Sequence, residues 1–147
     1  MSKNPTFPAA AVPYLMIRGA AAAIDFYKKA FGAEETMRFP MPDGKIGHAE
    51  IRIAGAPVFL ADEMPGADMQ SPQQVGGTTV SVMIYVDDVD GFATRAERAG
   101  ATVTRPVADQ FYGERSVGLR DPFGHAWHFS TVKEILTVDE MIKRMPT

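Results

Sequence analysis

The side chains whose types and spacing suit acid–base or ligand chemistry are His48, Glu50, Tyr112, Glu114 and His128, each set in or beside a run that alternates apolar and polar residues. In Ile46 to Ile53 the apolar positions are Ala49, Ile51 and Ile53, so His48, Glu50 and Arg52 point to the opposite side of a strand. Neighbours on one strand face lie about 7 Å apart. That spacing lets an imidazole and a carboxylate act on one ligand as acid and base, and it equally suits a structural hydrogen-bond network across a sheet. His128 follows the turn signal Asp121-Pro122-Phe123-Gly124, where Asp-Pro opens a turn and Gly124 can take the positive φ that ends it. Beyond the turn, Trp127 and Phe129 share one face and His128 takes the other. His128 is therefore a candidate catalytic group alongside Glu50, or a pocket histidine bonded to a neighbour. Tyr112 and Glu114 can orient a ligand or pair with Arg52.

Several chemistries are excluded outright. There is no cysteine, which removes disulfides, thiolate metal sites and cysteine nucleophiles together, and which fits a cytoplasmic protein. No phosphate-binding loop and no serine nucleophile motif occurs. Asp88, Asp90, Gly91 and Glu97 match four positions of a calcium loop, but Val86 would stand at its first ligand position and the segment has a helical period. A formal net charge of −3 with scattered lysines and arginines gives no basic stripe, so nucleic acid is not an expected partner. The first residues, Met1 to Pro8, lack the apolar run of a secretion signal, and no stretch approaches the about 20 apolar residues of a membrane span.

The elements that must position these residues come twice. Val12 to Ile17 alternates as a strand; Ala20, Ile24, Tyr27 and Phe31 then recur at helical spacing until Gly32 closes the helix. Strands follow at Glu35 to Phe39, Ile46 to Ile53 and Val58 to Asp62, separated by Pro- and Gly-rich turns. From Thr79 the order returns: a strand at Val80 to Val86, a helix capped by Asp88 and closed by Gly100, then strands at Thr102 to Val107, Tyr112 to Arg120 and His125 to Thr131. The 147 residues thus read as a single domain, 1–147, of two βαβββ units at about 10–62 and 79–131. The joining segment 63–78 has no periodic run, and loops of that length tend to be functional. A final helix at about 138–145 opens with the capping box Thr137 to Glu140 and carries an apolar stripe of Val138, Met141, Ile142 and Met145 that must pack on its own body or on a partner.

On Ala22-Ala23-Ile24-Asp25-Phe26-Tyr27-Lys28-Lys29-Ala30-Phe31-Gly32-Ala33 and Asp121-Pro122-Phe123-Gly124-His125-Ala126-Trp127, together with the paired βαβββ order, the chain resembles the vicinal oxygen chelate superfamily of glyoxalase, bleomycin-resistance and extradiol dioxygenase proteins. His48-Ala49-Glu50 and Phe111-Tyr112-Gly113-Glu114-Arg115 make it similar to the PhnB-like branch. The resemblance implies an α+β fold in which two βαβββ units form an open mixed-sheet barrel with a central cavity and helices on the outer face, and it implies a homodimer. In metal-using relatives, inward positions on the first and last strand of each unit hold His or Glu ligands. Carried over, these fall on Val12, Leu60, Ser81 and His128, of which only His128 binds a metal well. A two-residue slip on the fourth strand would bring in Asp62.

The period of two sorts the remaining side chains. Tyr14, Met16, His48, Glu50, Arg52, Ser81, Met83, Tyr85, Tyr112, Glu114 and His128 are expected to face the cavity as ligand-binding residues, with Leu60, Asp62, Ser116 and Ser130 beside them. The expected function is a metal-poor protein, without cofactor, that holds a small, partly aromatic or cationic organic molecule through tyrosines, methionines, Glu50 and Glu114. The alternative is a lyase, isomerase or dioxygenase acting on a small oxygenated substrate, either by acid–base chemistry or through one divalent metal near His128. A weaker third possibility is an accessory protein that binds another protein through 63–78.

Overall fold

The computed structural model describes residues 11–147. The start of the first unit at residue 10 and the amino-terminal stretch read against a secretion signal lie outside the described residues. In chain order the elements are β1 (Tyr14–Ile17), α1 (Ala20–Phe31), β2 (Glu34–Pro40), β3 (Ile46–Ile53), β4 (Ala56–Asp62), α2 (Pro72–Val75), β5 (Ser81–Tyr85), α3 (Val89–Ala99), β6 (Thr102–Asp109), β7 (Glu114–Arg120), β8 (Ala126–Val132) and α4 (Val138–Arg144). The strands make two four-stranded sheets, ordered β1-β4-β3-β2 and β5-β8-β7-β6. In each, the first strand runs parallel to the last and the other pairs are antiparallel, so both sheets are mixed and neither closes into a barrel.

Local chemistry accounts for the helix boundaries. Gly19, ahead of α1, has no side chain to cap it, and the carboxylate of Asp62 substitutes from the end of β4, accepting from the Gly19 and Ala20 N–H groups at 3.1 and 2.9 Å. Its other oxygen accepts from the Ile46 N–H at 2.7 Å. Asp62 is thus a structural clamp between α1, β3 and β4, contrary to the expectation that it faces a cavity. Asp88 caps α3 through the Gly91 N–H, and Gly32 and Gly100 close α1 and α3 with positive φ.

The two units are welded through their helices. Ala23, Ile24, Tyr27 and Phe31 of α1 are buried, and the aromatic pair reaches beyond its own sheet: the Tyr27 and Phe31 rings lie 5.3 and 5.1 Å from that of Trp127 on β8. Phe31 also stacks on Phe92 of α3 at 5.7 Å. At the carboxyl end of α1 the Arg95 guanidinium of α3 donates to the Lys28 and Lys29 carbonyls at 3.1 and 2.9 Å, satisfying acceptors that a helix end leaves open. One apolar cluster therefore runs through both units.

Asp121 is the polar centre of that cluster. It is 4% exposed and accepts from Tyr27 Oη at 2.6 Å, Trp127 Nε1 at 2.9 Å and the Phe123 and His125 N–H groups at 2.8 and 3.0 Å. The turn it holds sends the chain into β8 with Trp127 and Phe129 fully buried and His128 on the other face. Burial, and after it the Asp121 charge, pushes the Tyr27 phenol well up, so it remains a donor.

Two regions go beyond what the sequence reading specified. The 63–78 segment is ordered: Met64 and Met69 pair through their backbones, and Ser71 caps the four-residue α2. Glu63 anchors this segment, accepting from the Ser71 hydroxyl and N–H and from Arg18 Nε at 2.7 Å. A single helical turn is too short to show a period in sequence. Helix α4 has its capping box, but none of its residues is buried, and Val138, Ile142 and Met145 are exposed. Its stripe does not close its own subunit.

Candidate functional site

On the first sheet, Tyr14 and Met16 alternate with the buried Leu15 and Ile17, and His48, Glu50 and Arg52 with the buried Ala49, Ile51 and Ile53. The face opposite the helix carries a connected set: Tyr14 Oη lies 2.6 Å from His48 Nδ1, and His48 Nε2 lies 3.3 Å from Glu50 Oε1. A carboxylate only accepts, so Nε2 carries the proton toward Glu50. In the neutral imidazole Nδ1 is then the acceptor for the Tyr14 hydroxyl. Both ring nitrogens are engaged, and the group this cluster offers to a ligand is Tyr14. Burial, then the Glu50 charge, raises the Tyr14 phenol above its usual range, so it stays protonated near neutrality. Arg52 donates to the Gly55 carbonyl at 3.2 Å, at the end of its own hairpin.

Phe59 joins this face where Leu60 was expected. Its ring meets Tyr14 at 6.0 Å and His48 at 5.2 Å, both edge-on, whereas Leu60 is fully buried in the core and pairs with Ala49. Val58 to Ala61 is apolar at every position, so a period of two cannot say which alternate set faces in. Only the pairing of β4 with β1 and β3 settles it.

On the second sheet, Met83 and Tyr85 alternate with buried Val82 and Ile84, and His128 lies between buried Trp127 and Phe129. Met83, Tyr112, Glu114 and His128 line a cavity of about 250 Å³ together with Arg105 and Gln110. Ser81 shares the face but not the lining. Glu114 is the hub: one oxygen accepts from the Tyr85 hydroxyl at 3.0 Å and the other from Ser130 Oγ at 2.7 Å. The hydrogen bond to Glu114 and its charge raise the Tyr85 phenol.

Sequence reasoning missed Arg105. It lies where the β6–β7 register shifts on either side of it, beside Pro106, which cannot donate to the ladder. Gly118 makes room, since a Cβ there would come within 3.2 Å of the Arg105 Cβ. The Arg105-Pro106 pair inside an otherwise alternating run was the available signal of a bulge.

The structure does not bring His48 and Glu50 together with Tyr112, Glu114 and His128. The 250 Å³ cavity is lined by residues of the second unit alone. The expected central cavity is absent within one described chain because α1 and α3 pack against each other, leaving the helix-free faces as separate surfaces. The units do share a larger groove of about 730 Å³, where Tyr14 and Met16 meet Val82, His125 and Pro72. At its side His125 Nε2 donates to the Met16 carbonyl at 2.9 Å.

The carried-over metal positions do not fit a metal. Val12 has no lone pair to offer, Leu60 is core, Ser81 is a weak donor, and the Asp62 carboxylate is consumed by three backbone N–H groups. Among the described residues no three His, Asp or Glu side chains form a donor set.

A family model described as Glyoxalase/Bleomycin resistance protein/Dioxygenase superfamily matches residues 11–129. An uncharacterized protein of Mycobacterium bovis is 44% identical over 132 residues, covering 88% of this chain and 87% of that protein. The crystal structure of TioX from Micromonospora sp. ML1 is similar with a TM-score of 0.68 and 29% identity, over 88% of this chain and 100% of that one. The fosfomycin resistance protein FosX from Listeria monocytogenes, in complex with Mn(II) and sulfate, matches with a TM-score of 0.63 and 19% identity over 95% and 98% of the two chains, which shows a shared fold alone.

Proposed function

Starting from the fact that the chain belongs to the glyoxalase/bleomycin resistance protein/dioxygenase superfamily, we propose that it is a metal-poor, cytoplasmic small-molecule-binding protein of the PhnB-like branch. Its ligand is a small organic compound with an aromatic or cationic portion, held on the helix-free face of the second sheet. The observation that carries this reading is the 250 Å³ cavity, where a tyrosine, a thioether and a carboxylate converge, the carboxylate held by Tyr85 from outside the lining, and where no metal donor set forms among the described residues. Tyr112 supplies a flat amphipathic surface, Met83 a polarizable one, and Glu114 a charge oriented by Tyr85 and Ser130. Arg105 adds a positive group to the same lining, which suits a ligand bearing both an acceptor and a cationic or aromatic end.

The assembly we propose is a homodimer. The second subunit would cover the α4 stripe and bring a further sheet against the open faces, supplying the enclosure that one chain lacks. The test of the binding reading combines elemental analysis with a ligand screen. Purified protein should carry no stoichiometric zinc, iron, nickel or manganese after dialysis, and aromatic amines should raise its melting temperature through a site lost in Glu114→Gln. A retained metal that His128→Ala releases would overturn the reading in favour of a metal-dependent lyase, isomerase or dioxygenase.

A further inference from the structure

Outside the second-sheet cavity, the Tyr14, His48 and Glu50 cluster has the arrangement by which a weak nucleophile is activated: a hydroxyl bonded to a base, and the base oriented by a carboxylate. We propose that Tyr14 is a reactive tyrosine that accepts acyl groups from small apolar esters, with His48 as the base for its hydroxyl and Glu50 holding the imidazole. This is independent of any ligand in the second-sheet cavity.

Three observations support it beyond the two distances. Tyr14 is 45% exposed, so an electrophile can reach its oxygen, whereas the imidazole behind it has both nitrogens engaged. The same tyrosine lines the 730 Å³ groove with Met16, Val82 and Pro72, an apolar bed for the body of an ester. Phe59 stands edge-on to both rings, fixing the plane in which the Tyr14 oxygen meets Nδ1. Because the Tyr14 phenol is held up rather than down, its oxygen is no standing phenolate; it loses its proton only as the new bond forms.

The step balances without a further reactant. The Tyr14 Oη attacks the ester carbonyl carbon, and the new O–C bond forms as the bond to the leaving alkoxide or phenoxide breaks. The Tyr14 proton passes to His48 Nδ1, the imidazolium is stabilised by Glu50, and that proton then leaves to the departing oxygen or to water. The groups facing His48 are Tyr14 from β1, Glu50 from its own strand, the Phe59 ring from β4 and Phe39, its cross-strand partner on β2. Glu50 is the one charge among them.

The test uses p-nitrophenyl acetate on the full chain, with peptide mapping by mass spectrometry and nitrophenolate release as readouts. Tyr14 should be acetylated well ahead of the exposed Tyr85, and His48→Gln should slow it about 100-fold, the low end of general-base catalysis. In the wild type the Tyr14 rate should rise with pH through an inflexion that depends on His48. In His48→Gln that inflexion should vanish, leaving only a rise with phenol ionisation. Glu50→Gln should lower the rate and Glu50→Asp partly restore it, with unchanged Trp127 fluorescence showing each variant folded. Labelling of tyrosines in order of exposure, or a rate indifferent to His48→Gln, overturns the proposal. So does wild-type nitrophenolate release from Tyr14→Phe, since that places the nucleophile on a group other than Tyr14.

Discussion

Asp121 offers the sharpest test of how the chain is held together. Its four hydrogen bonds join a helix of the first unit to the β7–β8 turn and β8 of the second, with Tyr27 and Trp127 both fully buried. Asp121→Ala strands these two side-chain donors and two turn N–H groups. A buried donor left unmade costs about 1–3 kcal/mol, so the loss should reach about 4–6 kcal/mol once water serves the turn. At about 2–4 °C per kcal/mol for a domain of this length, the melting temperature should fall by about 10–20 °C. Asp121→Asn is the discriminating variant. Its oxygen can still accept from the turn, and its amide can donate to a rotated Tyr27 hydroxyl, but Trp127 Nε1–H can only donate and would face an NH₂ group. That single mismatch should cost about 2–3 kcal/mol. Urea unfolding followed by the fluorescence of Trp127, the only tryptophan, reads both variants directly. Tyr27→Phe should couple to Asp121→Asn by about 1 kcal/mol or more in a double-mutant cycle. Zero coupling, or an asparagine variant as stable as wild type, would refute the bridging role.

Tyr112→Phe should weaken a ligand found by screening while moving the melting temperature little, because the Tyr112 side chain lines the 250 Å³ cavity rather than the core. Trp127→Ala should do the reverse, losing about 3–5 kcal/mol of stability. Light scattering at micromolar concentration should give a mass of about 32 kDa rather than the 16.0 kDa of one chain. Truncation after Leu136, which spares the Glu134 and Leu136 contacts beside Gly113, should yield a folded monomer if the α4 stripe is the interface. The Glu63 carboxyl is held below its ordinary value of 4.5, first by the Ser71 hydroxyl and then by Arg18. A depressed folded-state value means its anchoring is present above the ordinary value and is lost as pH falls through the lowered one. Hydrogen exchange in residues 63–75 should therefore accelerate only once the pH has fallen below the ordinary carboxyl value of 4.5, and Glu63→Gln should show the fast exchange already at neutral pH.

The sequence by itself determined the order of elements and most of the sidedness. Periods of 3.6 and 2 are written in residues such as Ile24, Tyr27 and Phe31, or His48 and Glu50 between Ala49, Ile51 and Ile53, and the terminating glycines and the Asp121 turn punctuate them. Those signals are local, so they are legible without knowing what each element packs against. Tertiary structure decided everything that depends on pairing at a distance. Leu60 went to the core and Phe59 to the open face because a uniformly apolar strand takes its sidedness from its neighbours. Asp62 became a helix clamp because folding sets it beside two N–H groups left without a cap. The Tyr14–His48 contact spans two non-adjacent strands of one sheet, and Arg105 enters the second-sheet cavity only through a bulge. The separation of the two faces follows from aromatic packing of α1 against β8 and α3, an interaction that no single segment of the sequence encodes.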